Sequence, residues 1–198
     1  MNYRSEPLSR LDIRRYALSI RQAVLPEGNL WFPIEEFLEC LSELPGNEDF
    51  FFECVKDNEL PPNIHAEYSL DENCMRIKET VYLGACDGNG RDRMTLAHEI
   101  GHFLLLKHSK LKLQRCFSSD VPCYCDPEWQ AKCFAAELLI PANQVERLSP
   151  EYVAKKCGVS LQAANISWEN FRKAKKAAKQ KLDRGPFAII LLRDKAIA

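Results

Sequence analysis

The sequence predicts an α+β fold: a small antiparallel sheet packed on one long helix, followed by a helical C-terminal segment. Three observations predict it. Apolar residues recur at steps of three and four over most of the chain, and they alternate instead between Phe50 and Leu83. The motif His98-Glu99-x-x-His102 then falls in the helical run just after the alternating stretch. The 198 residues suffice for one substantial core with an appendage. We divide them into a core domain, 1–145, and a C-terminal segment, 146–198, made of helices and a terminal strand.

Taken in order, Ser9 caps a first helix whose Ile13, Tyr16, Ala17, Ile20, Ala23 and Val24 form one apolar stripe, ended by Pro26 and Gly28. Pro33 opens a second, with Ile34, Phe37, Leu38 and Leu41 on one side and Pro45-Gly46 as its stop. Three strands are expected at Phe50–Val55, Ala66–Leu70 and Met75–Leu83, the last placing Met75, Ile77, Val81 and Leu83 on one face. Asp87-Gly88-Asn89-Gly90 reverses the chain, and Asp92 or a neighbour caps the motif helix. Met94, Ala97, Ile100, Gly101, Leu104 and Leu105 populate that helix's buried side, and Gly101 is expected to let sheet backbone pass beneath the histidines. A loop, Lys107 to Cys125, precedes a helix announced by Asp126-Pro127 and stopped by Pro141. Ser149-Pro150 starts a short helix closed by Gly158, Ser160 caps a longer basic one, and Pro186–Leu192 reads as a buried strand.

Composition narrows the function classes. Hydrophobic residues make up 46% and charged residues 28%, and the net charge is −1, so nothing in the bulk charge favours nucleic acid. Charges at Arg10, Asp12, Arg14, Arg15 and Arg21 interrupt any secretory leader, and no apolar stretch approaches the roughly 20 residues of a membrane span. Nine cysteines without such a leader point to a reducing cytoplasm.

The motif itself has a mechanical meaning. A helix turns once in about 3.6 residues, so His98 and His102 project from one face and can reach a single zinc ion. Glu99 lies beside that face, where a general base for an activated water belongs. A hydrolytic zinc site needs a third protein ligand. His108 has the histidine spacing of H-E-x-x-H-x-x-G-x-x-H, but Leu105 stands where that pattern needs glycine and every methionine lies upstream. Glu128 is the better candidate. On a helical projection it sits at the edge of the face carrying Ala131, Ala135, Leu138 and Leu139, whereas Glu137 falls roughly 180° away, pointing out. Tyr124, Tyr152 and His108 are candidates for stabilising an oxyanion, and the Met75–Leu83 strand for receiving an extended substrate at its edge.

Met94-Thr-Leu-Ala-His-Glu-Ile-Gly-His102 followed by Glu128-x-x-Ala131-x-x-Phe134-Ala-Ala-Glu-Leu-Leu-Ile-Pro141 resembles the ImmA/IrrE family of bacterial and phage zinc metallopeptidases. The likeness runs from about Pro33 to Pro141, and departs at Lys132, often asparagine in the family, and Gln130, often acidic. It implies a zincin-like domain over 1–145, with Zn²⁺ held by His98, His102 and Glu128 and Glu99 as the catalytic base. It also implies a protein substrate, an Xre-type helix-turn-helix repressor whose cleavage relieves repression of a mobile element, phage or stress genes. Two features carry other readings. Residues 152–165 look like a helix-turn-helix ahead of a basic run, which would suit a non-proteolytic zinc-binding module or sensor that binds DNA or a regulator, as in a toxin-antitoxin-like pair. Isolated helix pairs of this kind more often act as packing supports. Cys116, Cys123, Cys125 and Cys133 lack Cys-x-x-Cys spacing and read as ordinary thiols before a redox or metal cluster.

Overall fold

The computed structural model describes residues 2–108, 114–116 and 121–184. Strand β1 (Asn2–Arg4) leads to helix α1 (Arg10–Val24). Ser9 and Asp12 form a capping box: the Ser9 hydroxyl accepts from the Asp12 amide while the Asp12 carboxylate accepts from the Ser9 amide. Ile13 and Ala17 bury from one face of α1. Helix α2 (Ile34–Glu39) sinks Ile34, Phe37 and Leu38, as their spacing requires.

Strands β2 (Phe51–Val55), β3 (Ala66–Ser69) and β4 (Cys74–Lys78) form a sheet in the order β2-β4-β3. The β3–β4 hairpin is antiparallel, with Ala66 opposite Ile77, but β2 runs parallel to β4, with Phe51 opposite Cys74. The sheet is therefore mixed where an antiparallel one was expected. Residues 56–65 carry the chain from one edge to the other, which leaves β4 in the middle, where Cys74, Met75, Ile77 and Lys78 are all buried. The expected strand to Leu83 stops at Lys78, and α3 (Glu79–Cys86) follows at once. Ile77, Val81 and Ala85 lie four apart, a helical step, and all three are buried, whereas Leu83 is exposed.

Helix α4 (Gly90–His108) carries the motif. Its cap is Asn89, whose Oδ1 accepts from the amides of Arg91 and Asp92. Leu96, Ala97, Ile100, Phe103 and Leu104 are buried, and the Phe103 ring meets Phe50 at 4.4 Å and Tyr68 at 5.5 Å, joining helix to sheet. Strand β5 (Gln114–Cys116) pairs antiparallel with β1 inside the stretch read as loop.

Helices α5 (Pro127–Leu139), α6 (Ala142–Val145), α7 (Pro150–Cys157) and α8 (Leu161–Arg184) complete the described chain. Val153, Cys157, Val159, Ala164 and Phe171 join the same core as α4 and α5. Arg93, wholly buried, bolts this end together. Its Nε donates to the Gly158 carbonyl at 3.1 Å, Nη2 donates to the Phe32 carbonyl at 2.6 Å, Nη1 pairs with Glu35 at 3.0 Å, and the guanidinium stacks on Trp31 at 3.7 Å. The expected strand Pro186–Leu192 lies outside the described residues. Among those described, no helix is long and apolar enough to cross a membrane.

Candidate metal centre

The burial of Leu96, Ala97, Ile100 and Phe103 fixes the rotation of α4, so that His98 and His102 face away from the core. Their Nε2 atoms lie 3.1 Å apart. Helix α5 then brings a carboxylate to them. Asp126 caps its start by accepting from the Glu128 amide at 3.0 Å, Pro127 occupies the first turn, and the buried Gln130 donates to the carbonyls of Glu6 and Tyr124. Glu128 Oε1 reaches His102 Nε2 at 3.1 Å and Oε2 reaches His98 Nε2 at 3.4 Å.

Gly101 makes this approach possible. A Cβ there would stand 3.0 Å from the Phe134 ring and 3.3 Å from Ala131 Cα, so the glycine admits α5, and not sheet backbone as expected.

The three residues offer ligand atoms that all lie within 4.8 Å of one another. Donors of a tetrahedral zinc ion, each about 2.0–2.2 Å from it, stand roughly 3.3–3.6 Å apart, close to the 3.1–3.4 Å between the two imidazole nitrogens and the carboxylate oxygens here. The neighbouring His102 and His98 hold the Glu128 carboxyl well below the usual carboxylate range. Glu99 sits alongside, its Oε1 3.9 Å from His98 Nε2. Burial pushes its carboxyl up, while His98, His102 and the Tyr68 amide pull it back.

The site opens into a cleft of about 880 Å³ between the face of α4 and β3, with Tyr68, Thr95 and Leu106 in its walls. Strand β3 is the outer strand here; β4, expected to offer its edge, has a neighbour on both sides. His65 also lines the cleft, and its Nε2 lies 3.2 Å from Arg91 Nη2. Tyr124 and Tyr152 are half exposed outside the cleft, and the side chain of His108 lies outside the described residues.

The projection of α5 needs correction. Glu137, expected to point out, is 1% exposed, because Arg10 Nε and Arg14 Nε each meet it at 2.8 Å. Glu128, expected to point toward the core, is 58% exposed and meets the histidines directly at the protein surface. No signal within α5 reveals this, since the cations that bury Glu137 come from α1. Of the cysteine group, Cys125 and Cys133 are buried and Cys123 exposed; burial pushes the Cys133 thiol up to about 11, the behaviour of an inert thiol. The Cys116 side chain lies outside the described residues.

The family model of peptidase M78, described as an IrrE N-terminal-like domain, matches residues 55–169. Among solved structures, a Mycobacterium tuberculosis transcriptional regulator aligns with a TM-score of 0.51 at 14% identity, covering 78% of this chain and 45% of that one. This likeness is one of fold, and the chain spans less than half the length of that protein. Comparison with curated proteins finds no match. With the family model covering more than half of its length, the chain belongs to the peptidase M78, IrrE N-terminal-like family.

Proposed function

We propose that this chain is a zinc-dependent endopeptidase that cuts a protein partner, an Xre-type helix-turn-helix repressor, to relieve repression of a mobile element, phage or stress genes. One observation carries the reading: His98, His102 and Glu128 converge at 3.1–3.4 Å beside a buried acid, Glu99, in a cleft walled by an outer strand. When bound to these three, zinc supplies Lewis-acid activation of water and of a peptide carbonyl.

The chain's own residues do the rest. Glu99 takes the proton from the attacking water and delivers it to the leaving amine, and the burial that raises its proton affinity suits both transfers. The outer edge of β3 receives an extended substrate segment by backbone pairing, which holds the cut bond over the donor set. Membership of a peptidase family supports the reaction; the repressor as substrate rests on the likeness of the two motifs. The proposed setting is the reducing cytoplasm, in keeping with the cysteine usage.

Zinc-loaded wild type and Glu99→Gln, incubated with candidate Xre-type repressors and read by product mass, test this. Cleavage by wild type alone is expected, with equal zinc in both proteins and a rate loss of at least about 100-fold in the variant. Equal cleavage, or none by either, overturns the reading.

A further inference from the structure

A second cavity adjoins the cleft. It measures about 560 Å³, lies between α4, α5 and the first turns of α8, and shares Thr95 and His98 with the cleft that holds the donor set. Its walls are mostly apolar: Met94 from α4, Ala135 and Ala136 from α5, Ala163 and Ile166 from α8. Resting on the peptidase reading above, we propose that this cavity is the specificity pocket for the residue beside the cut bond and takes one bulky apolar side chain, leucine or an aromatic.

Position argues for this first. A peptide laid along β3 over His98 passes the mouth of the cavity, so a side chain next to the reacting carbonyl and turned toward Thr95 enters it. Its size falls in the range of about 300–1,000 Å³ typical of pockets that hold a whole small ligand, which leaves ample room for one large side chain. The two alanines of α5 keep the floor deep, and Ile166 leaves an apolar lip 54% exposed to water. An incoming apolar side chain covers that lip and gains the burial.

The pocket is also preformed. Gly90 abuts the turn before α8 so closely that a Cβ would stand 2.6 Å from the Ser160 amide nitrogen and 2.6 Å from the Val159 carbonyl carbon. Arg93 holds the Gly158 carbonyl of the same turn, and Trp31 lies directly against Gly158. The α8 wall is thus fixed to the helix that carries the histidines, and little ordering is left for binding to supply. Charge excludes the other class of long side chain. Arg91 and Lys132, both exposed, are the cations of the lining and repel lysine or arginine, for which the apolar walls offer no partner.

The test uses peptides identical but for one central residue, Leu, Phe, Ala or Lys. Their binding to zinc-loaded Glu99→Gln is measured by fluorescence anisotropy, and their cleavage by wild type is followed alongside. Leu and Phe peptides are expected to bind about tenfold tighter or more than Ala or Lys peptides. Ala136→Phe projects a ring into the cavity and Ile166→Arg charges its lip; each, built into the Glu99→Gln protein, should collapse that ratio. The second substitution is on an exposed residue, so the test survives if the first fails to fold. Equal binding of all the peptides, no binding, or a ratio untouched by both substitutions overturns the pocket. Preferential binding without cleavage by wild type leaves the pocket standing and overturns the peptidase reading. Cleavage without preference does the reverse.

Discussion

The two ends of α5 carry the same functional group under opposite conditions. Glu137 is buried against Arg10 and Arg14, both from α1. Glu128 stands largely in solvent, with two imidazoles as its nearest partners. Here the structural carboxylate is the buried one of the two, and the one suited to bind an ion is the exposed one. A carboxylate sealed between guanidinium groups has its charge balanced permanently, with no room for another cation. Beside imidazoles, which can themselves turn a ring lone pair to an ion, it keeps its capacity to neutralise a metal. The partner, and not the degree of burial, separates the two roles.

That contrast predicts different failures. Glu128→Ala removes one of three donors and should lower zinc affinity by at least about 100-fold, since even outer-shell partners are worth 10–100-fold. Competition with a chromophoric chelator measures it, and the metal-free variant should melt close to the metal-free wild type. Unchanged zinc affinity would break the assignment. Glu137→Gln should do the opposite, retaining one zinc per chain while losing about 3 kcal/mol in urea unfolding. Arg10 and Arg14 are 30% and 24% exposed, so water can reach them and the loss belongs at the lower end for a broken buried pair. If Glu137→Gln lost zinc while folded, the division of labour along α5 would be wrong.

The convergence of the candidate residues is more legible in the sequence than the order of the sheet, for a physical reason. Two histidines one turn apart are a local fact, and Asp126-Pro127 locates the start of α5 without reference to anything distant. Glu128 faces the histidines, but the burial argument that singles it out fails, because α1 decides which side of α5 is the inner one. Strand order depends on the path of residues 56–65, which no alternation encodes. Helix α3 was hidden because Met75, Ile77, Val81 and Leu83 satisfy a period of two, while the four-residue step from Ile77 through Val81 to Ala85 is equally present. His65 in the cleft and the α8 wall beside His98 are tertiary facts with no local signature.

Between the two ends of α5, Gly101 sets how close α4 and α5 come. Gly101→Ala gains about 1 kcal/mol of helix propensity but forces the Phe134 ring and the Ala131 backbone outward, an overpacking cost of about 1–3 kcal/mol. The net effect expected is a small loss of stability together with weaker zinc binding, because Glu128 moves away with α5. Isothermal titration beside thermal melts separates the two; stability lost with affinity unchanged would show that Glu128 does not depend on this close approach.

The smallest effect reaches Glu137 indirectly, through the first two turns of α1, where Arg10 and Arg14 originate. The Ser9 hydroxyl and amide hold the Asp12 carboxyl below its ordinary value of 3.8, with a lesser contribution from Arg15. A carboxyl depressed in the folded state contributes stability that is fully present above the unfolded value and is lost as pH falls through the folded one. Asp12→Ala should therefore melt below wild type at about pH 7, and the gap should narrow below about pH 4, where the wild-type carboxyl takes up its proton. Asp12 is fully exposed, so the gap should be modest and should shrink further in salt. A gap independent of pH would assign the loss to backbone effects of the substitution, leaving the capping charge no part in holding Arg10 and Arg14 against Glu137.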